Sequence, residues 1–271
     1  MEPWQGKWAL VTGASAGIGA QLARQLAAGG ANLVLTARRT DRLSQLAKEL
    51  AERHQVRVEI CAADLAKPQA PGELFRFTQE KGLPIEVLIN NAGFGAYGEF
   101  RKIEAQRLLD MVKVNVSAVV HLTHLFLPAM IGSKSGYVMI VASTAAFQPV
   151  PYISTYAATK GFDLLLAEGL AEEMRPYGVH VCGLCPGSTV SEFHTVAGQP
   201  ARTGGRRQAT DEVARAGLEA LAAGKSRVIA GTRNWISVEA QRLVPRSLVT
   251  RVAASMFRPG ARDPDGKSDK A

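Results

Sequence analysis

Three glycines stand within seven residues near the start of this 271-residue chain, between an apolar run and a segment with helical periodicity. Residues 7–12, K-W-A-L-V-T, have the pattern of a short buried strand, and A-Q-L-A-R-Q-L-A-A follows the glycines. A glycine-rich turn between a strand and a helix is typical of a phosphate site, because the helix N-terminus offers free N–H groups and a partial positive charge. The spacing is G-x3-G-x-G rather than G-x-G-x-x-G, and the alternative is a tight loop that binds nothing.

Each glycine of this segment has a separate expected role. Gly13 permits a sharp turn, Gly17 lets the backbone approach a pyrophosphate, and Gly19 lets the helix pack close to the strand. Ser15 and Ile18 stand inside the same segment and complete the candidate contacts of this turn.

Strand-like and helix-like segments alternate along most of the chain, which predicts an α/β fold with a doubly wound parallel sheet of the Rossmann type. The predicted strands lie near residues 7–12, 32–36, 56–61, 86–90, 137–142 and 179–184. Ligands of such sheets bind at the carboxyl ends of the strands. Gly13, Asn90, Ser143 and Pro186 all follow strands there. An apolar content of 46% fits an ordinary globular domain.

Two arginines follow the second predicted strand. An acidic residue at this place accepts hydrogen bonds from an adenosine 2′-hydroxyl, whereas Arg accommodates a 2′-phosphate. Arg38 and Arg39 stand here and the first acid is Asp41, so the sequence favours NADP(H) over NAD(H). The alternative is a solvated charge cluster at the start of a helix over 40–54, with Thr40 as its N-cap.

Tyr156 and Lys160 stand four residues apart in Y-A-A-T-K, thirteen residues after Ser143. On a helix these two positions share a face, about 6 Å apart along the axis. A neighbouring ammonium favours the phenolate of a Tyr, whose ordinary pKa is about 10, so Lys160 is expected to bring the pKa toward neutrality. A Tyr tuned in this way exchanges a proton with an alcohol or a carbonyl. Taken alone, the pair also fits an ordinary surface helix.

Several short motifs in a fixed order resemble the short-chain dehydrogenase/reductase family, in its compact one-domain branch, over roughly residues 6–230. The motifs are T-G-A-S-A-G-I-G at 12–19, Asp64, N-N-A-G at 90–93, Asn115, Ser143, Y-A-A-T-K at 156–160 and P-G at 186–187. The segments T-A-R-R and P-G-S-T-V-S-E-F are similar to those of NADP-dependent reductases that act on apolar carbonyl compounds.

The resemblance implies a set of four catalytic residues. Tyr156 would be the general acid in carbonyl reduction and the base in alcohol oxidation. Lys160 would lower the pKa of Tyr156 and hydrogen-bond the nicotinamide ribose. Ser143 would hold the substrate oxygen, and Asn115 would bend its helix and hold a water that links Lys160 to solvent. On the residues alone, Ser143 could instead cap a strand and Asn115 could be a packed helix residue.

The resemblance also implies further cofactor contacts. Asp64 would contact the adenine, and Asn91 and Gly93 would line the cofactor groove. Pro186 and Gly187 would begin the loop beside the nicotinamide. Thr189 and Ser191 belong to the same loop, and Ser191 stands where the family more often has Thr, so it keeps a hydroxyl for the carboxamide but lacks a methyl. Alternatively, Asp64 could cap the segment that follows it, and N-N-A-G could be only a turn.

Together these features predict an NADP(H)-dependent oxidoreductase that reduces a carbonyl to an alcohol, or catalyses the reverse. An apolar substrate is expected, because segment 188–209 should cover the site and carries Val190, Phe193 and Val196. Further aromatic walls could come from Phe94, Tyr97, Phe147 and Tyr152. Two alternatives remain at this stage: an epimerase or dehydratase on the same fold, and a non-catalytic NADPH-binding scaffold.

The three cysteines and the paired histidines do not indicate a metal site. Cys182 and Cys185 have C-x-x-C spacing, but they lie in a predicted buried strand and no second ligand pair exists. His121 and His124 could share a helix face, yet they have no nearby partners, so structural or interface roles are expected. The cysteine count and the absence of a leader predict a reducing cytoplasm.

Positive charge is concentrated in the last quarter of the chain. Residues 201–271 contain 14 Lys and Arg against 7 Asp and Glu, while residues 1–200 contain 18 against 17. No nucleic-acid-binding motif accompanies this charge, so no nucleic acid partner is expected. Segment 234–257 mixes apolar residues with arginines, and Pro245 should divide it into two short helices.

This segment has two interpretations. It could pack over the substrate entrance or on another subunit, or it could form an amphipathic surface that contacts anionic lipid. We therefore predict a dinucleotide-binding catalytic domain over 1–232, a helical extension over 233–258 and a disordered tail over 259–271. The helices near 103–130 and 153–175 are rich in Leu, Ala and Val. With the resemblance they suggest a homo-oligomer, a dimer or a tetramer, although core burial explains the same pattern.

Overall fold

The computed structural model describes residues 3–199 and 207–259. Its centre is a parallel sheet whose strands run in the order β3-β2-β1-β4-β5-β6-β7 within the described residues. The strands are β1 (Trp8–Thr12), β2 (Asn32–Thr36), β3 (Val58–Ile60), β4 (Ile85–Asn90), β5 (Gly136–Val141), β6 (Val179–Cys185) and β7 (Arg227–Ile229). This order confirms the predicted doubly wound sheet, whose direction of winding reverses between β1 and β4.

Helices cover both faces of the sheet. They are α1 (Gly17–Ala28), α2 (Thr40–His54), α3 (Ala70–Glu80), α4 (Ala105–Val112), α5 (Ala118–Ser133), α6 (Ser154–Met174), α7 (Phe193–Ala197), α8 (Thr210–Ala222), α9 (Thr232–Gln241) and α10 (Arg246–Phe257). Every strand pair is parallel, so each connection must return along one face of the sheet to the end where the next strand begins. Most of these crossover connections contain a helix.

Alternate side chains of the central strands enter two separate cores. In β1, Val11 packs with α1, α2 and α8 on one face, whereas Leu10 packs with α3, α5 and α6 on the other. Residues of a strand point alternately to the two faces, and β1 is buried along its whole length because both faces are covered. Burial on both faces explains why the strands are continuous apolar runs in the sequence.

The stretch Ala105–Ser133 is one continuous helical rod, because a π-helical turn over Lys113–Ser117 joins α4 to α5. By length and composition it could cross a membrane, with a window of mean hydropathy 1.6. In the structure Leu122 and Phe126 of α5 are buried in the core on the sheet. We therefore interpret this stretch as a core helix.

The structure differs from the sequence predictions at three places. The third strand is shorter than predicted, and the seventh strand, Arg227–Ile229, was not predicted. Thr40 is the first helical residue of α2 rather than its cap, and no side chain caps this helix. Pro245 does separate two helices, α9 and α10. The tail predicted to be disordered lies, from residue 260 onward, outside the described residues.

Candidate active site

A cleft of about 1800 Å³ opens at the carboxyl ends of the strands, beside the point where β1 and β4 are neighbours. This volume exceeds the range of roughly 300–1,000 Å³ that is usual for one small ligand, so there is room for a dinucleotide and a substrate side by side. Most of the residues predicted for the site line it: Gly13, Ser15, Gly17, Ile18, Arg38, Arg39, Asp64, Asn91, Gly93, Ser143, Tyr156, Lys160, Gly187, Thr189 and Ser191. Gly19 and Asn115 lie behind this lining.

The glycine turn has a conformation that side chains would obstruct. Gly13 has φ +67°, and a Cβ built on it would lie 2.8 Å from Asn91 Nδ2 and 2.9 Å from Ala92 Cα. A Cβ on Gly19 would lie 2.4 Å from the Gly13 carbonyl oxygen, so α1 packs directly on the turn. Gly17, with φ +57°, opens α1 with no side-chain cap on its N–H groups. These N–H groups are therefore available to an anion.

A hydrogen-bond network joins the glycine turn to the N-N-A-G segment. The Thr12 hydroxyl accepts bonds from the backbone N–H groups of Asn91 and Ala92, both at 2.9 Å. The Asn91 side chain donates to the Thr12 carbonyl at 2.8 Å. The segment is thus the end of β4 and the irregular chain that follows it, and its hydrogen bonds to Thr12 fix the floor of the cleft between β1 and β4.

Basic residues stand at the mouth of the cleft beyond β2. Arg38 is exposed and lines the cleft. Arg39 donates to the Ser15 hydroxyl at 3.1 Å and to Glu192 at 2.8 Å, and Arg42 donates to Glu192 at 2.6 Å. Both arginines lower the pKa of Glu192, Arg42 foremost. Because these pairs are exposed, their contribution to stability is small.

Other predicted cofactor contacts occupy the rim. The Asp64 carboxylate accepts a bond from Ala66 N–H at 3.1 Å, so Asp64 does cap the following segment while it also lines the cleft. A Cβ on Gly187 would lie 2.4 Å from the side chain of Asn234, which ties α9 to this loop. The Ser191 hydroxyl lies 3.5 Å from that of Thr189 and accepts a bond from Phe193 N–H.

Tyr156 and Ser143 meet at the inner end of the cleft. Tyr156 lies in the first turn of α6, and its ring centre is 4.9 Å from that of Phe193 in α7. Ser143 follows β5 and accepts a bond from Ala145 N–H at 3.1 Å, so the capping interpretation describes part of its role. Its hydroxyl also acts on Tyr156, where it lowers the pKa of the phenol.

The pKa of Tyr156 is nevertheless raised above its ordinary value. Burial is the largest cause; the charge of Lys160 and the Ser143 hydroxyl lower the pKa only in part, and Asp163 and Cys185 raise it further. The sequence expectation that Lys160 would bring this pKa toward neutrality is wrong for the chain by itself, since desolvation of the phenolate outweighs one neighbouring cation. Tyr156 is only half-buried by surface area, so water in the cleft offsets part of this effect. The phenol keeps its proton at neutral pH.

Lys160 is buried and held by two acceptors. Its Nζ donates to the Val141 carbonyl at 2.7 Å and to Asp163 Oδ2 at 2.9 Å, and it lies 6.0 Å from the centre of the Tyr156 ring. Burial opposes its charge, but Asp163 and Tyr156 more than offset this, and the pKa of Lys160 is raised. A Cβ on Gly93 would lie 3.5 Å from Nζ, so the ammonium faces the N-N-A-G segment as well as the phenol.

Asn115 lies in the π-helical turn and is fully buried. Its amide bonds both backbone groups of Phe94 at 3.1 Å and donates to the Thr159 hydroxyl at 3.0 Å. It therefore connects the α4–α5 rod to α6, next to Lys160. These contacts agree with the interpretation of Asn115 as a packed helix residue. That Asn115 also holds a water linking Lys160 to solvent, as the resemblance implies, remains a prediction.

The cysteines and histidines lie apart from this chemistry. Cys182 and Cys185 are free and buried, and burial raises the pKa of each thiol to about 12, as core packing predicts. His121 and His124 are exposed on α5. Within residues 3–199 and 207–259, no group of three or more His, Cys, Asp or Glu side chains could hold a metal ion.

The residues present fit a phosphorylated dinucleotide. The glycine turn leaves backbone N–H groups free for a pyrophosphate. A Cβ would collide with neighbouring atoms at Gly13 and Gly19, so glycine at these positions allows the turn and α1 to pack closely. Arg38 and Arg39 line the cleft after β2, the position at which Arg can accommodate a 2′-phosphate, and Lys160 and Tyr156 of α6 line the same cleft.

Comparison with known proteins agrees with this geometry. The family model described as short chain dehydrogenase matches residues 7–200. The chain belongs to the short-chain dehydrogenase family. Of the solved structures, a short-chain dehydrogenase from Sphingobium yanoikuyae in complex with NADPH is 32% identical, with a TM-score of 0.79 over 88% of this chain and 94% of that chain.

Two further relatives of this short-chain dehydrogenase carry names that indicate substrates. A structure of a 7β-hydroxysteroid dehydrogenase is 28% identical, with a TM-score of 0.84 over 93% of this chain and 98% of that chain. A very-long-chain 3-oxoacyl-CoA reductase of Phaeosphaeria nodorum is 34% identical over 65% of this chain and 53% of its own length. The chain thus spans about half the length of this curated relative.

Sequence reasoning missed three features of the site. Asp163, the ion-pair partner of Lys160, could have been found, because an Asp within F-D-L-L-L on a core helix demands a partner. No sequence signal indicates that Glu192 reaches Arg39 across the cleft. The same holds for Arg107, which donates to the Gly95 and Val196 carbonyls and lies against the Phe94 ring.

The expected aromatic walls are only partly right. Phe94, Tyr97, Phe193 and Val196 line the cleft. Phe147 and Tyr152 are not among its described lining, and Phe147 packs with Ala142, Leu164 and Cys185 instead. Val190 points outward and is 61% exposed. Residues 200–206 of the expected covering segment lie outside the described residues.

Proposed function

We propose that this short-chain dehydrogenase is an NADP(H)-dependent oxidoreductase that reduces an apolar ketone to an alcohol. The observation that carries the proposal is the joint position of Tyr156, Ser143 and Lys160 at the inner end of a cleft that begins at the glycine turn. The dinucleotide, when bound, supplies the hydride. The protein orients the substrate, stabilises the charge that develops on its oxygen and donates one proton.

Tyr156 acts as the general acid. Its hydroxyl gives a proton to the substrate oxygen as negative charge develops there, and the Ser143 hydroxyl donates a second hydrogen bond to the same oxygen. Lys160, held by Val141 and Asp163, stabilises the phenolate that remains. The positions are fixed before the substrate arrives, because α6 and the end of β5 carry them.

The preference for NADP(H) rests on charge at the cleft mouth. Arg38 and Arg39 follow β2 and no acidic residue occupies positions 37–39 to receive a ribose 2′-hydroxyl. The guanidinium groups favour a 2′-phosphate. The NADPH complex of the Sphingobium yanoikuyae relative supports this choice.

An apolar and bulky substrate suits the inner cleft. Phe94, Tyr97 and Phe193 contribute aromatic surface, and α10 adds Phe257 from the C-terminal side. The names of the steroid dehydrogenase and of the very-long-chain reductase support a large apolar ketone. Acyl chains and fused rings are the two shapes to test first.

A substrate screen tests the proposal. NADPH consumption is followed with a panel of steroid, acyl and aromatic ketones, for the wild type and for Tyr156→Phe, while NADPH binding is measured separately by titration. We expect turnover of bulky apolar ketones by the wild type only. Equal turnover by both proteins would refute the catalytic role of Tyr156. Binding without any turnover would favour the scaffold alternative, and product formation without net NADPH consumption would favour an epimerase or dehydratase.

We also propose a homo-oligomer formed through the α4–α5 rod and α6. The buried residues of these helices serve the core, but five large apolar side chains remain on their outer faces: Leu109, Val112, Val120, Phe162 and Leu165. Leu165 is 72% exposed. A second copy of the chain would cover these side chains, because exposed apolar patches of this kind are typical of protein–protein interfaces.

The C-terminal helices have two faces, and both interpretations of the segment have support. Toward the body, Ser255 and Phe257 line the cleft, so α10 borders the substrate entrance. Outward, large apolar side chains are exposed: Trp235, Ile236, Leu243, Val244, Leu248, Val252 and Met256. Five arginines and a single acid, Glu239, lie between residues 232 and 258.

This outer face suits an anionic lipid surface, which we propose as its partner. A second copy is disfavoured here, because two such faces would set arginine against arginine, whereas lipid headgroups complement the charge. The protein would then act in a reducing cytoplasm at a membrane surface, consistent with its free cysteines. Sedimentation with vesicles of phosphatidylserine and phosphatidylcholine at low salt should retain the protein, and failure to bind would exclude the contact.

A further inference from the structure

Asp163 is a buried acid that the proposed reaction leaves unassigned. It stands one helical turn after Lys160 on α6, and the two side chains form an ion pair at 2.9 Å with exposures of 0% and 6%. Removing two charges from water costs several kcal/mol per ion before their attraction is counted. A pair of this kind is therefore unusual in a helix that otherwise packs Leu and Ala against the sheet.

The carboxylate has one observed partner. Asp163 Oδ2 accepts from Lys160, while Oδ1 is buried with no hydrogen-bond partner among the described residues. A side chain that served only to pack the core would be apolar here, since an apolar group of similar size carries no such cost. The contacts of Asp163 thus point to Lys160 and to nothing else.

The charged and titratable groups around this pair are few. Tyr156 and Asp163 face Lys160 from α6 itself, and Cys185 faces it from β6. Behind Cys185 lie Glu168 and Arg227. Burial raises the pKa of the Cys185 thiol to about 12, so this group is neutral at neutral pH. Asp163 is therefore the negative charge that acts on Lys160 and, through it, on Tyr156.

We propose that Asp163 is a positioning residue that anchors the Lys160 ammonium and, by its negative charge, keeps Tyr156 in its proton-donating form. Since carbonyl reduction needs the protonated phenol and alcohol oxidation needs the phenolate, the free enzyme at neutral pH carries the proton that reduction requires. In that direction the Tyr156 O–H bond breaks, its proton joins the substrate oxygen, and the carbonyl carbon gains a hydride from the reduced dinucleotide. This inference rests on the proposed function and specifies its direction.

Two anchors act on the ammonium together. The Val141 carbonyl and Asp163 Oδ2 each take one N–H bond, which leaves one proton of Nζ for the cleft side. Without Asp163 the ammonium loses one of its two fixed directions and the carboxylate that most offsets its burial, while the Val141 carbonyl and the phenolate still favour its charge. Its attraction for the phenolate is then no longer opposed by a neighbouring carboxylate.

The test reads the ionisation of Tyr156 directly and needs no turnover. Ultraviolet absorbance of phenolate is titrated in the wild type and in Asp163→Asn, and the same titration of the corresponding Tyr156→Phe proteins is subtracted. We expect the Tyr156 transition to move to lower pH by about one unit in Asp163→Asn. The matched control is Glu172→Gln, which removes an exposed acid paired with Arg175 at the same spacing on the same helix and should leave the transition in place.

Kinetics provide the second readout. The alkaline fall of kcat/KM for reduction and the rise for oxidation should both shift to lower pH in Asp163→Asn. Titrations of the parent and of Asp163→Asn that superimpose, or a Tyr156 transition that moves to higher pH in Asp163→Asn, would overturn the proposal. If no ketone is turned over, the proposed function fails while the titration still decides the role of Asp163.

A folding defect would not block the test. Asp163→Glu keeps a negative charge beside Lys160, so it avoids an uncompensated buried ammonium, and it should leave the Tyr156 transition in place. The wild type alone supplies a further check: a Tyr156 transition below about pH 7 would contradict the role assigned to Asp163.

Discussion

Tyr156 determines the pH dependence that this site should show. Its pKa is raised, first by burial, with Lys160 and Ser143 opposing. Reduction requires the protonated phenol, so its rate should be level through neutral pH and fall as pH rises through the Tyr156 pKa. Oxidation requires the phenolate and should rise over the same interval. Measuring kcat/KM in both directions checks the sign, and an oxidation rate already at its plateau at neutral pH would contradict it.

Arg38 should decide between the two nicotinamide cofactors. We expect Arg38→Ala to weaken NADPH binding by about 1.5–3 kcal/mol, the usual worth of a hydrogen bond to a charged group, and to leave NADH binding unchanged. Titration calorimetry with both cofactors measures this difference. Arg53→Ala, an exposed arginine at the far end of α2, is the control. A parallel loss for both cofactors would exclude a 2′-phosphate contact.

Glycines on two helices should respond in opposite ways to alanine. A Cβ on Gly19 would stand 2.4 Å from the Gly13 carbonyl, whereas nothing lies within 4 Å of a Cβ on Gly169 in α6. Gly19→Ala should therefore lower the free energy of unfolding by about 1–3 kcal/mol and weaken cofactor binding. Gly169→Ala should raise the free energy of unfolding by about 0.5–1 kcal/mol. Urea titrations compare them, and equal effects would refute the packing of α1 on the turn.

Elements with strong local signals were predictable from sequence. The second strand and the helix over 40–54 were predicted with the bounds that the structure has, because a buried apolar run and a regular amphipathic repeat each have one periodicity. The cleft followed from the rule that parallel strands bind ligands at their carboxyl ends. The order of residues along the chain was enough for these features.

The features that escaped prediction depend on contacts distant in sequence. The seventh strand has three residues, too few to show the alternation of apolar and polar residues that identifies a strand. It forms because the edge of β6 provides backbone hydrogen-bond partners. Phe147 is an aromatic residue close in sequence to Ser143, as a residue of the cleft wall would be. The 3-10 turn after Ser143 instead places it in the cluster of Ala142, Leu164 and Cys185. The direction of the Tyr156 pKa depends on burial, which the spacing of Tyr156 and Lys160 does not contain.

The whole molecule presents two exposed apolar faces with different expected partners. Leu165→Glu, on the outer face of α6, should convert an oligomer into a monomer in light scattering and leave vesicle binding intact. Leu243→Glu, at the turn between α9 and α10, should abolish vesicle binding and leave the oligomer intact. Each variant is the control for the other. If Leu243→Glu were the one that dissociated the oligomer, the assignment of the two faces would be reversed.

Hydride transfer and proton transfer to the same ketone in one cleft is the central claim, and an isotope label tests it most directly. Wild type and Tyr156→Phe are incubated with a bulky apolar ketone and with NADPH carrying deuterium at the transferable position, and the product is analysed by mass spectrometry and NMR. We predict an alcohol with deuterium on the carbinol carbon from the wild type, at a rate at least about 10²-fold above that of Tyr156→Phe. An alcohol without the label, or equal rates from the two proteins, would contradict it.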